Sequence, residues 1–139
     1  MSLRLMPIVY VSDMDRSIAF YRSLGLKLEV QSRSAQWAEL KCGDALLALH
    51  RGEKPQQRPY RWAAGHASTT GWGEQVRQQP IKLCFLSNAP LHNLIGELRT
   101  AGVEIVREVT DEGFGYSMQV RDPDGLTIQI DEHDSELYT

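Results

Sequence analysis

The sequence predicts an α+β fold: two βαβββ modules that form a cupped mixed sheet with the helices outside. Three observations carry the prediction. Asp122-Pro123-Asp124-Gly125 is a turn, and the residues after it alternate, with Leu126, Ile128 and Ile130 on one face and Thr127, Gln129 and Asp131 on the other. Two amphipathic helical stripes each stop at a glycine, Gly25 and Gly102. Each helix is preceded by one strand-like run and followed by three.

Taken in order, residues 4–12 read as a strand, with Pro7 putting it at an edge or an end. Ser12 or Asp13 caps the first helix, and Ser12-x-x-Asp15 resembles a capping box. Met14, Ile18, Tyr21 and Leu24 form its apolar stripe. Strands follow at 26–31, 36–42 and 45–50, the last two joined at Gly43-Asp44. From 51 to 79 neither period persists, and the stretch carries five basic residues against two acidic ones. Trp62 and Trp72 argue against simple disorder there, because indoles normally find a surface to pack on. The order then restarts. A strand covers 81–87, and Asn88 caps a helix with Pro90 in its first turn. Leu91, Leu94, Ile95 and Leu98 fall at i, i+3, i+4 and i+7. Strands at 103–110, 116–121 and 126–131 complete the set. A single domain over 1–139 is expected: one module at about 4–50, a linker or lid at 51–79, a second module at about 80–132, and a polar tail at 133–139.

Composition narrows the function. The chain has 139 residues, 42% hydrophobic and 24% charged, which suits one ordinary domain. A net charge of −3 lacks the basic footprint of a nucleic-acid binder. No apolar run reaches the roughly 18 residues of a membrane span, and residues 1–13 lack the features of a signal peptide. Cys42 and Cys84 fall inside strands, so reduced, buried thiols in a cytoplasmic protein are expected. Each module alone leaves one sheet face uncovered. Two side by side enclose a cavity.

The residues Val11-Ser12-Asp13 running into Ser17-x-x-Phe20-Tyr21, then Leu24-Gly25-Leu26, and finally Asp122-Pro123-Asp124-Gly125, resemble the glyoxalase / bleomycin-resistance / extradiol-dioxygenase superfamily. The resemblance runs from Arg4 to Glu132 and implies the vicinal oxygen chelate fold of paired βαβββ modules. It also implies a divalent metal held by His, Glu or Gln at four inward positions, on the first and last strand of each module. Carried onto this chain, those positions are Met6, Ala48, Ile81 and Gln129. Alanine and isoleucine offer no donor, a thioether is soft, and catalytic zinc takes about three protein ligands. No metal and no cofactor is therefore expected. A one-residue slip gives Pro7, Leu49, Lys82 and Ile130, or Leu5, Leu47, Pro80 and Ile128, and neither is a ligand set. A shift of two gives Ile8, His50, Leu83 and Asp131. His50 and Asp131 stand at equivalent positions. Joined by a loop residue such as His66, they define the alternative, a glyoxalase-like lyase, isomerase or dioxygenase with a displaced metal site.

Without the metal, a small-molecule pocket remains. Its expected lining is Met6, Ile8, Tyr10, Leu46, Ala48 and His50 from the first module. Ile81, Leu83, Phe85, Gln129 and Asp131 come from the second, and Trp37 and Tyr116 are candidate stacking surfaces. Trp62, His66 and Trp72 are candidate lid residues. Cys84 alternates with Ile81 and is expected against the helices, where a buried thiol without a base is inert. The expected function is metal-independent binding of an aromatic or amphipathic compound, as in the antibiotic-sequestering branch of the family. The resemblance also implies a homodimer.

Overall fold

The computed structural model describes residues 2–52, 81–113 and 115–133. The element order is β1 (Ile8–Val11), α1 (Met14–Ser23), β2 (Lys27–Gln31), β3 (Trp37–Cys42), β4 (Ala45–Arg51), β5 (Leu83–Leu86), α2 (Leu91–Thr100), β6 (Glu104–Asp111), β7 (Gly115–Arg121) and β8 (Thr127–His133). This is βαβββ twice. The strands form two four-stranded sheets of matching order, β1-β4-β3-β2 and β5-β8-β7-β6. β1 runs parallel to β4 and β5 parallel to β8, while the remaining pairs are antiparallel. Pro7 sits just outside edge strand β1, where its missing N–H costs no ladder bond.

Local chemistry explains the helix ends. Asp13 is the N-cap of α1, and its carboxylate accepts from the Arg16 N–H at 3.1 Å. Ser12 serves elsewhere. At the far end the Leu26 N–H donates to the Tyr21 carbonyl and the Gly25 N–H to that of Arg22. Gly25 takes a φ of +99°, a left-handed value that glycine adopts without strain. The second helix departs from expectation. Its N-cap is Pro90, which has no capping side chain, and Asn88 lies two residues too early. The cap comes from β8, where Glu132 accepts from the Leu91 N–H at 2.9 Å.

The helices cover one face of each sheet. Met14, Ile18 and Tyr21 meet Val11, Ala38, Leu40, Leu47 and Leu49, and Leu91, Ile95 and Leu98 meet Met118, Val120, Ile128 and Ile130. These side chains form one continuous core spanning both modules. The Asp122–Gly125 turn ties the halves together. Asp122 is buried and accepts the N–H groups of Asp124 and Leu126 on one oxygen and the Tyr21 hydroxyl, at 3.0 Å, on the other. Asp124 receives both the backbone N–H and the hydroxyl of Ser12. The turn of the second module thus clasps the helix of the first.

Candidate functional site

The faces turned away from the helices carry the chemistry, because side chains alternate along each strand and paired residues share a face. In the first sheet one cross-strand row is Tyr10, His50 and Trp37, and the next is Ile8, Ala48 and Glu39. His50 sits between the two larger rings. Its centroid is 5.5 Å from that of Tyr10 and 5.8 Å from that of Trp37, both at steep interplanar angles. The Trp37 indole N–H donates to Glu39 Oε2 at 2.8 Å. Ala48 is fully buried beneath its neighbours, while Tyr10 is 56% exposed. His50 Nδ1 is buried and has no hydrogen-bond partner among the described residues. Leu46 lies one row further, paired with Lys41, and Met6 precedes β1 and is half-buried.

The second sheet presents a different wall. Its rows are Leu86, Asp131, Ser117 and Thr110, then Cys84, Gln129, Gln119 and Arg107. The Gln129 amide donates to both oxygens of the buried Asp131 carboxylate, at 2.9 and 3.0 Å. Lys82 Nζ lies 3.5 Å from the Gln129 amide oxygen. The Arg107 guanidinium donates to Thr110 Oγ1 and to the carbonyl and hydroxyl of Ser117. Cys84 Sγ is 3.6 Å from Asp131, and burial, then the Asp131 charge, pushes its thiol up to about 11.

Four sequence expectations need correction here. Leu83 and Phe85 pack against the helical core rather than on the open face. Ile81 precedes β5 and is 83% exposed. Cys84, expected against the helices, stands on the open face beside Asp131. Tyr116 turns to the helix side, its ring 5.1 Å from that of His92 on α2. The β5 errors share one cause. Ile8, the partner of Ala48, is six residues before the first residue of α1. Cys84, the partner of Gln129, is seven before that of α2. One extra residue in the connection reverses the facing of the whole strand. The face expected for Ile8, Tyr10, Leu46, Ala48, His50, Gln129 and Asp131 is the one they occupy, while Met6 precedes β1. Trp62, His66 and Trp72 lie outside the described residues. Glu39, Ser117, Gln119 and Arg107 were missed, although Ser117 and Gln119 alternate with Met118 and Val120 in a readable period of two.

The donor chemistry can be tested against a hard divalent metal. In the observed register the position equivalent to Met6 is Lys82, so the four corners are Met6, Ala48, Lys82 and Gln129. A thioether, a methyl group, an ammonium and one amide oxygen do not fit such an ion. The ammonium at the amide oxygen opposes a second cation there. Among the described residues no three His, Cys, Asp or Glu side chains gather as a ligand group. No helix there is long and apolar enough to cross a membrane.

Known proteins share this architecture. Over 134 residues the chain is 28% identical to Virulence protein STM3117 of Salmonella typhimurium, covering 91% of this chain and 81% of the relative. That protein's crystal structure superposes with a TM-score of 0.61 at 25% identity, covering 96% of this chain and 98% of the other. TioX from Micromonospora sp. ML1 gives 0.68 at 17% identity, covering 96% and 100%. A lactoylglutathione lyase from Agrobacterium tumefaciens gives 0.62 at 20% identity, covering 99% and 97%. At those last two identities the likeness is one of fold. The family model of the Glyoxalase/Bleomycin resistance protein/Dioxygenase superfamily matches residues 4–130, and with two βαβββ modules in place the chain belongs to that superfamily.

Proposed function

We propose that this protein is a metal-independent small-molecule-binding member of its superfamily, holding an antibiotic or another aromatic or amphipathic compound between its two open sheet faces. The observation that carries the reading is the donor set at the four corners: Met6, Ala48, Lys82 and Gln129 leave a scaffold without the means to hold a hard cation. What remains suits a receptacle. One wall offers aromatic and aliphatic surface, and the other offers amide, hydroxyl and carboxylate groups. Two copies are proposed to associate. Ile8 (48% exposed), Tyr10 and Leu86 (65% exposed) display apolar surface on the open faces of edge strands β1 and β5, as a shared pocket requires. Two free cysteines suit a cytoplasmic location.

The test is incubation of the purified chain with Zn, Ni, Mn and Fe salts, desalting, and elemental analysis, alongside a thermal-shift screen with aromatic and amphipathic compounds. The reading expects substoichiometric metal and at least one compound that raises the melting temperature in a saturable way. A metal retained at one equivalent, or a screen without a hit, overturns it.

A further inference from the structure

Resting on that reading, the structure of the first sheet narrows the class of ligand. We infer that the aromatic row of Tyr10, His50 and Trp37, with Glu39 at its side, takes an organic cation, specifically an N-alkylated ammonium group carried by the bound molecule.

Geometry supplies the first part of the argument. The three rings stand in one cross-strand row, and both ring contacts are edge-to-face. Each flanking ring therefore spends at most one face on His50 and keeps the other. Aromatic faces carry negative potential, so ring faces left free on one side of a sheet favour a positive group. Exposure supplies the second. Tyr10 is more than half exposed and Trp37 partly so, which makes these rings reachable and leaves them poorly explained as core.

The third part is charge. Glu39 sits one row from the rings on the same face, its carboxylate tied to the Trp37 indole N–H. That bond fixes the carboxylate and the indole as one unit and uses only one of the two carboxylate oxygens. Lys41 shares the face two residues along, yet no ion pair joins it to Glu39 among the described residues. The carboxylate thus stands beside three rings without an ion pair among those residues. A bare ammonium is strongly hydrated and needs several acceptors. An alkylated one sheds water more easily and presents its polarised methyl groups to ring faces, needing only one carboxylate for balance.

A matched pair of probes separates charge from shape: choline and its uncharged carbon isostere, 3,3-dimethylbutan-1-ol. Each is titrated into the full chain and followed by saturation-transfer NMR and by the shift of its methyl resonance. Choline is expected to bind about tenfold or more tighter than the isostere, with its methyl signal moved upfield by the rings. Glu39→Gln keeps an acceptor for the indole N–H and removes only the charge. It is expected to weaken choline about fivefold or more at unchanged melting temperature while leaving the isostere unaffected. Trp37→Leu is expected to reduce the upfield shift. Equal binding of the two probes, an unchanged choline affinity in Glu39→Gln, or no choline binding at tens of millimolar overturns the inference. If neutral aromatic compounds still stabilise the chain in the thermal screen, only the cation class falls and the receptacle stands. If nothing stabilises it, both fall.

Discussion

Removing one oxygen atom from Tyr21 should loosen the joint between the modules. Tyr21 is fully buried, and its hydroxyl is the group from α1 that reaches the Asp122 carboxylate, at 3.0 Å. In Tyr21→Phe that carboxylate oxygen loses its donor, and burial keeps water from replacing it. A hydrogen bond to a charged group contributes about 1.5–3 kcal/mol. For a chain of this length each kcal/mol moves the melting temperature by about 4 °C, so a drop of about 6–12 °C is expected by calorimetry. The pH dependence adds a sharper check. Burial, the larger cause, raises the Asp122 pKa above its usual value, while the bonds from Leu126, Tyr21 and Asp124 pull it down. A carboxyl whose folded pKa is raised binds its proton more tightly in the native state. Its contribution to stability is therefore fully present below the ordinary carboxylate range and is lost as pH rises through the raised value. Phenylalanine removes one of the lowering contacts and raises that value further. The variant should accordingly lose more stability at pH 7 than at pH 4. A melting temperature within 1–2 °C of the parent, about the resolution of the method, or an equal loss at both pH values would refute the reasoning.

Gly125→Ala places a side chain at a φ of +92° with no atom within 4 Å of the new carbon, so the cost is backbone strain alone, about 1–2 kcal/mol in urea unfolding. Glu132→Ala strips the cap from α2 and should cost about 1 kcal/mol, with Glu132→Gln recovering most of it because the amide oxygen still accepts from Leu91. Cys84 should alkylate slowly with iodoacetamide at pH 8, with a rate midpoint near 11 by peptide mass mapping. Asp131→Asn should bring that midpoint down while leaving it above the ordinary thiol value, because burial is the larger cause of the rise.

How much was legible follows from what each feature depends on. The two helices, their glycine stops and the Asp-Pro-Asp-Gly turn rest on contacts within a few residues, and all were readable. The facing of β1, β4 and β8 followed from alternation, which puts His50 and Asp131 on the faces turned away from the helices. β5 failed because its apolar run, Leu83 to Leu86, hardly alternates, and the longer connection to α2 removed the first module as a guide. Long-range partners left no local trace. Nothing near Leu91 announces Glu132 as its cap, and nothing near Ser12 announces Asp124. Tyr116 is different, because it falls in the same period of two as Met118 and Val120, so its place on the helix side, where its ring meets that of His92, was legible locally.

The clasp also bears on how the chain is made. Tyr21 leaves the ribosome 101 residues ahead of its acceptor, and Ser12 leads its own by 112. The nascent first half can pair its strands and seat its helix, but the phenol and the serine must wait for an acceptor until the turn between β7 and β8 has been synthesised. Any stop codon before Asp122 would release a polypeptide with that lock permanently open.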